Sequence, residues 1–383
     1  MASTRSRRRF LGELGASALL GALPFGRRAW AGGELYELAT RPENYEAPLE
    51  ALTQRITPLE SFYIRSHFDR PAIDAATWRL TIDGLAGKVQ SFSLADLRRF
   101  EQVSVEAVLQ CAGNGRALFR PRMPGVQWKR GAMGNAVWRG VRLRDLLKRA
   151  APKSEAEHLI LTGADKPALP TAPALIRSIP MEKALHPDTL IALEMNGVPL
   201  PPSHGFPARV VVPGWVGDDW IKWISQLTLS AEEAKGFFFE KAYRFPDPPG
   251  APGEPVPPER MHPMTRLAVK SAITQPLRGA TLAAGAQEIA GVAFSGEAAI
   301  KKVEISIDGG KSWAPAKLEG KASRYAWQIW RAKVKLDRPG PVRILSRATD
   351  DRGDTQPEQP RWNPSGYLYN AVDDVDVEVK VKV

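Results

Sequence analysis

The sequence predicts two domains of different class: an α+β domain over residues 34–262 and, over 263–383, a β-sandwich of immunoglobulin type. Three observations lead there. A chain of 383 residues is long for one core, and its 43% hydrophobic content fits a globular protein. Before residue 244, helix-period and strand-period segments are mixed in order. After a Pro/Gly-rich stretch at 244–263, only the period-two pattern recurs.

Residues 1–31 read as a twin-arginine signal peptide. Ser6 to Leu11 gives S-R-R-R-F-L, Leu14 to Phe25 is apolar but too short to span a bilayer, and Ala29-Trp30-Ala31 offers a small-x-small cleavage site. This predicts a periplasmic protein exported already folded, a route often taken by proteins that acquire a cofactor first. No later segment has the apolar length of a membrane span. Six arginines and one glutamate lie in 1–31, so the formal charge of +11 becomes +6 without them. That excess is too modest, in an exported chain, to argue for nucleic-acid binding.

Residues 34–60 read as mixed and loop-like. In "WRLTIDGL", Trp78, Leu80 and Ile82 share one face of a strand. "SLADLRRF" reads as a short helix with Ser93 as N-cap and Asp96 in its first turn. "VSVEAVLQC" is a strand running into the only cysteine, Cys111. "RLRDLLKRA" spaces Leu143, Leu146, Leu147 and Ala150 for an amphipathic helix. "HLILTGAD" is a strand ending at Asp165, and "ARVVVPGW" another after His204. "RFPDPPGAPGEPVPPERMHP" is a linker or an ordered extended segment. In "KKVEISIDGGKSW", Val303, Ile305 and Ile307 alternate before a turn at Asp308-Gly309-Gly310. "YAWQIWRAKV", "PVRILSRATD" and "VDVEVKVKV" continue as strands.

One cysteine makes no internal disulfide, and a c-type haem needs two. No second cysteine or His/Asp cluster has zinc-ligand spacing. Cys111 ends an apolar strand, and Gly113, Asn114 and Gly115 permit a tight turn that can present the sulfur to a bound group. In "FYIRSHFDRP", Arg65 and His67 are two apart and share a face. "SHGFPARVVVPGWVGDDWIKW" gathers His204, Arg209 and Lys222 in Gly/Pro-shaped loops, where arginine forks suit phosphates and small oxyanions.

The segments "LQCAGNGR", "EMNGVPLPPSHGFPARVVVPGWVG" with "IKW", and "ITQP…GVAFSGEAAIKKVEISIDGGKSW…ATDD…QPE…WNPSGYLYN" together resemble the sulfite oxidase family of molybdenum enzymes, over nearly the whole mature chain. The resemblance implies an α+β molybdopterin-binding domain followed by an immunoglobulin-like dimerisation domain, hence a homodimer. It implies that Cys111 is the sole protein ligand of molybdenum in a Mo-molybdopterin cofactor. It places Tyr63, Arg65, His67, Asp165, His204, Arg209, Trp220 and Lys222 around the pterin, and Arg65 and Arg116 at the anion site. The implied reaction is oxygen-atom transfer to sulfite, a small anionic sulfur substrate, with electrons leaving singly. No haem domain is encoded, so a cytochrome c acting in trans is the expected acceptor.

Two positions depart from the family pattern. Leu175 stands where the family usually has an active-site tyrosine, and no tyrosine occurs between Tyr63 and Tyr243. Gln328 stands where typical members have a third anion-site arginine. Both leave the cofactor reading intact and open a second reading, an enzyme of the same cofactor class acting on another sulfur compound. A non-catalytic exported binding protein is a third, opposed by the signal and the Cys111 turn.

Overall fold

The computed structural model describes residues 27–30 and 33–381. The twin-arginine motif and the apolar stretch that follows it lie outside the described residues. The expectation of a loop-like 34–60 is corrected: Arg27–Trp30, Gly33–Ala39, Asn44–Glu46 and Ile64–Arg65 form an antiparallel sheet. Among the described residues its own apolar cluster is Leu35, Tyr45 and Ile64. So few buried positions leave little periodicity to read.

Two five-strand layers carry the rest of the first domain. One runs Ile176–Pro180, His158–Gly163, Ile224–Ser230, Leu80–Gly84, Gln90–Phe92, with Leu80–Gly84 parallel to Ile224–Ser230. The other runs Val198–Pro199, Leu190–Met195, Met133–Arg142, Gln102–Gln110, with Arg209–Val211 also paired to Leu190–Met195. Helix Leu94–Arg99 starts at Ser93 with a full capping box to Asp96. Helix Leu143–Ala150 buries the four residues its spacing predicts. The domain is richer in strand than the α+β pattern suggests.

From Lys270 onward the chain forms a β-sandwich. One sheet runs Lys270–Gln275, Gly285–Phe294, Gln328–Leu336, Lys317–Leu318; the other runs Thr281–Ala283, Asp373–Lys380, Gly340–Asp350, Ile300–Ser306, Ala314–Pro315. Ile273, Ile289, Val303, Trp330 and Ile344 fill the space between them. The Pro-rich stretch is ordered as a two-stranded ribbon, Arg244–Pro246 with Met261–Pro263.

The two domains share a core. Met264, Leu267, Phe294, Trp327, Tyr367 and Leu368 belong to the same apolar cluster as Leu109, Trp128 and Val212. Glu297 clamps the boundary, accepting from Lys183 Nζ and Arg266 Nε at 2.6 Å each.

Candidate active site

Strand Gln102–Gln110 pairs along its whole length with Met133–Arg142, and the chain leaves the sheet at Cys111. The Cys111 N–H donates to Ala132 O at 3.0 Å, and its carbonyl accepts from Asn114 N–H at 3.0 Å. The Asn114 side chain locks the turn, donating to Gln110 Oε1 and accepting from Ala132 N–H, each at 3.1 Å. Gly115 sits at φ +90°, and a Cβ there would lie 2.6 Å from Tyr369, so the turn needs glycine for conformation and for space. The thiol is thereby set, buried, at one wall of a cleft lined by residues from several distant segments.

All eight residues expected around a cofactor line that cleft: Tyr63, Arg65, His67, Asp165, His204, Arg209, Trp220 and Lys222. They arrive from sites far apart in sequence: the end of Ile64–Arg65, the loop after His158–Gly163, the turn Pro202–His204, strand Arg209–Val211 and the turn Gly217–Asp219. Arg65 donates to Asn44 Oδ1 at 3.1 Å and to the Ser66 carbonyl. Arg209 donates to His204 O at 3.1 Å and Trp220 O at 2.8 Å. Lys222 Nζ donates to Ser66 Oγ at 2.8 Å and Ser203 O at 2.9 Å.

Burial and mutual repulsion shape the charges. Burial, then Lys222 and Arg209, push His204 down to about 3, so its imidazole is neutral. Burial, then Arg65, Lys222 and Arg177, hold His67 well below its usual range. Burial pushes Arg209 down to about 10, and burial with neighbouring Arg209 lowers Lys222 strongly. Burial raises the Cys111 thiol, against the pull of Arg65 and Arg116. This crowd of cations favours an anionic occupant, which would offset their mutual repulsion.

Arg116 sits differently. It is buried, donates to Ser365 O at 2.9 Å and Val126 O at 3.1 Å, and lies over the Tyr367 ring. It does not line the cleft; it acts on Cys111 through space. Gln328 does not line the cleft either. It is buried, and its Oε1 has no hydrogen-bond donor. Leu175 does line it, as an apolar wall.

Tyr243 is a cleft residue that the sequence did not point to. Its hydroxyl lies 2.5 Å from His67 Nε2. The chain returns through Phe237–Glu240 to bring it there. The aromatic-rich "GFFFEKAY" was the available signal. Asp218 was also missed. It lines the cleft 2.8 Å from the Arg177 guanidinium, and burial pushes it up to about 7.

Polar atoms in this cleft await partners. Arg209 Nε has no acceptor, and neither Asp218 oxygen has a hydrogen-bond donor, the Arg177 contact being an ion pair by distance alone. Among the described residues no group of three or more His, Cys, Asp or Glu could hold a bare metal ion. A metal at Cys111 must therefore bring other ligands with it. A group that bears an anionic tail, hydrogen-bond donors and acceptors, and a thiophilic metal fits these residues.

The profile of the family described as "Oxidoreductase molybdopterin binding domain" matches residues 67–238, and that of "Mo-co oxidoreductase dimerisation domain" matches 261–380. The chain is 38% identical over 356 residues to mitochondrial sulfite oxidase of Mus musculus, covering 88% of this chain and 64% of that protein. It is 32% identical over 357 residues to sulfite oxidase of Arabidopsis thaliana, covering 86% and 90%. Among solved structures, the sulfane dehydrogenase SoxCD from Paracoccus pantotrophus superposes with a TM-score of 0.77 at 28% identity, covering 95% of each chain. The chain thus spans about 64% of the length of its mammalian relatives.

Proposed function

Because the chain belongs to the sulfite oxidase family of molybdopterin-dependent oxidoreductases, and so works with Mo-molybdopterin, we propose that it oxidises sulfite to sulfate and passes the two electrons to a cytochrome c. Sulfite and water give sulfate, two protons and two electrons. The observation that carries this reading is the Cys111 thiol set in a cleft whose fixed cations are Arg65, Arg209 and Lys222.

When bound, the cofactor supplies the oxygen-atom transfer and accepts the electrons. Cys111 would anchor its metal as thiolate. Arg209, Lys222 and His204 would hold its pterin and phosphate, with Asp218 and Asp165 as hydrogen-bond acceptors. Arg65, oriented by Asn44 and the Ser66 carbonyl, draws the sulfite dianion in and fixes it. Arg116 adds positive potential at Cys111. The Tyr243 hydroxyl, paired with His67, can give or take a hydrogen bond at the reacting oxyanion. Leu175 adds an apolar patch to the cleft wall.

The S-R-R-R-F-L motif supports export to the periplasm, and the dimerisation-domain match supports a homodimer. A second reading, oxidation of another sulfur compound, is favoured by the likeness to a sulfane dehydrogenase and by Leu175 and the uncharged Gln328. The deciding experiment is steady-state turnover of molybdenum-loaded protein with sulfite, thiosulfate and sulfoxides, reduction of cytochrome c being followed. Turnover on sulfite supports the first reading, and inertness to sulfite with turnover on another substrate supports the second. Light scattering at micromolar concentration should give a dimer.

A further inference from the structure

We infer that Arg177 is a positioning residue for the Tyr243 phenol, its one guanidinium tying together two walls of the cleft. Arg177 lies on strand Ile176–Pro180, hydrogen-bonded to the body of its sheet, and is completely buried. On one side Nε donates to Asp219 Oδ1 at 2.9 Å, and Nη2 stands 2.8 Å from Asp218 Oδ2. These aspartates form the turn that carries Asp218 into the cleft and leads to Trp220 and Lys222. On the other side Nη1 donates to Phe238 O at 2.7 Å, and Cζ lies 4.9 Å from the Phe239 ring and 5.4 Å from the Tyr243 ring. The guanidinium thus touches both sides, through two hydrogen bonds, one ion pair and two aromatic rings.

Two further facts argue for positioning over bulk stability. Tyr243 sits at φ +54°, a conformation that a non-glycine residue keeps only when its surroundings impose it. Also, a buried arginine–aspartate cluster is a poor stabiliser compared with apolar packing. What such a fork does supply is a fixed distance among three chain segments, because its donors are planar and rigid.

The inference rests on the proposed reading only in that turnover is measured with sulfite, using ferricyanide as acceptor. The variants are Arg177→Gln, Arg177→Lys, and the charge-compensated pair Arg177→Gln with Asp219→Asn, which folds without an orphaned carboxylate pair. Each is analysed for molybdenum content, hydrogen exchange and kinetics. The paired variant should load metal. Its amides over 237–243 should exchange about tenfold faster, with those of Gly340–Asp350 unchanged. Its kcat per molybdenum should fall on the order of 10- to 100-fold, with KM moving less than about threefold. Adding Tyr243→Phe should cause no further loss, since both changes disable one device. Arg177→Lys, which keeps the charge and loses the fork, should rescue little. Unchanged exchange at 237–243 would overturn the inference, as would losses that multiply with Tyr243→Phe. Wild type inert to sulfite would count against the proposed function, and the exchange result would then decide this inference alone.

Discussion

Cys111 and Arg65 are the residues on which the chemistry turns. Replacing the Cys111 thiolate by the hard, neutral hydroxyl of Cys111→Ser should abolish turnover while thermal unfolding stays within a few degrees of wild type. Full activity in that variant would sink the reading. Arg65→Gln removes charge-assisted hydrogen bonds worth about 1.5–3 kcal/mol each. The specificity constant for sulfite should fall by roughly one to two orders of magnitude, more steeply at low salt; unchanged kinetics would show that Arg65 does not meet the anion. The residues around Cys111 were legible because their segments are compact: a strand, a glycine turn, then Arg/His in Gly/Pro-shaped loops. Tyr243 was not legible. Nothing local says that "EKAY" folds back onto His67, since that contact depends on Arg177 and on a strained backbone. The side of the turn on which Arg116 falls was equally hidden, because carbonyls from Val126 and Ser365 decide it.

At the scale of elements, the sequence spoke most clearly where a local device sets a boundary. Ser93 and Asp96 satisfy each other's backbone donors, at 3.1 Å and 3.0 Å. Ser93→Ala should cost about 1 kcal/mol and lower the melting temperature by roughly 2–4 °C, with turnover unaffected. A larger loss would mean that Ser93 supports more than its helix. The alternation of Val303 with Ile305, and the glycines at positive φ after Asp308, likewise fixed strand and turn. The strands at 33–46 escaped notice because their apolar residues are few and their stability comes from pairing with residues near Arg65.

The whole molecule is held by a core that crosses the domain boundary, and burial there has a pH signature. Lys270 opens the first sandwich strand, donates to Gln110 Oε1 at 3.3 Å, and is pushed down to about 8 by burial. A lysine with a folded pKa below its unfolded 10.5 binds fewer protons folded than unfolded between those values. The penalty for burying its charge is therefore fully present below about pH 8 and lifts as pH rises from 8 to 10.5. Its size is on the order of 3 kcal/mol. Lys270→Met should raise stability at pH 7 and narrow its advantage toward pH 10, as read by denaturant unfolding at both values. An advantage independent of pH would show that Lys270 is neutral or solvated. The boundary residues were visible as hydrophobic positions, but which domain they faced was not, because period-two patterning does not distinguish a sandwich interior from a face packed on a neighbour. The same architecture imposes an order of events on synthesis. Leu368 N–H donates to Ala112 O beside the thiol at 2.9 Å, and Ser365, 249 positions beyond Arg116, caps that arginine. A nascent chain that has released the cysteine turn from the ribosome still lacks the backbone that braces it. The bracing of the cysteine turn is therefore finished only once the chain through Leu368 has been made, and a truncated or stalled chain lacks it.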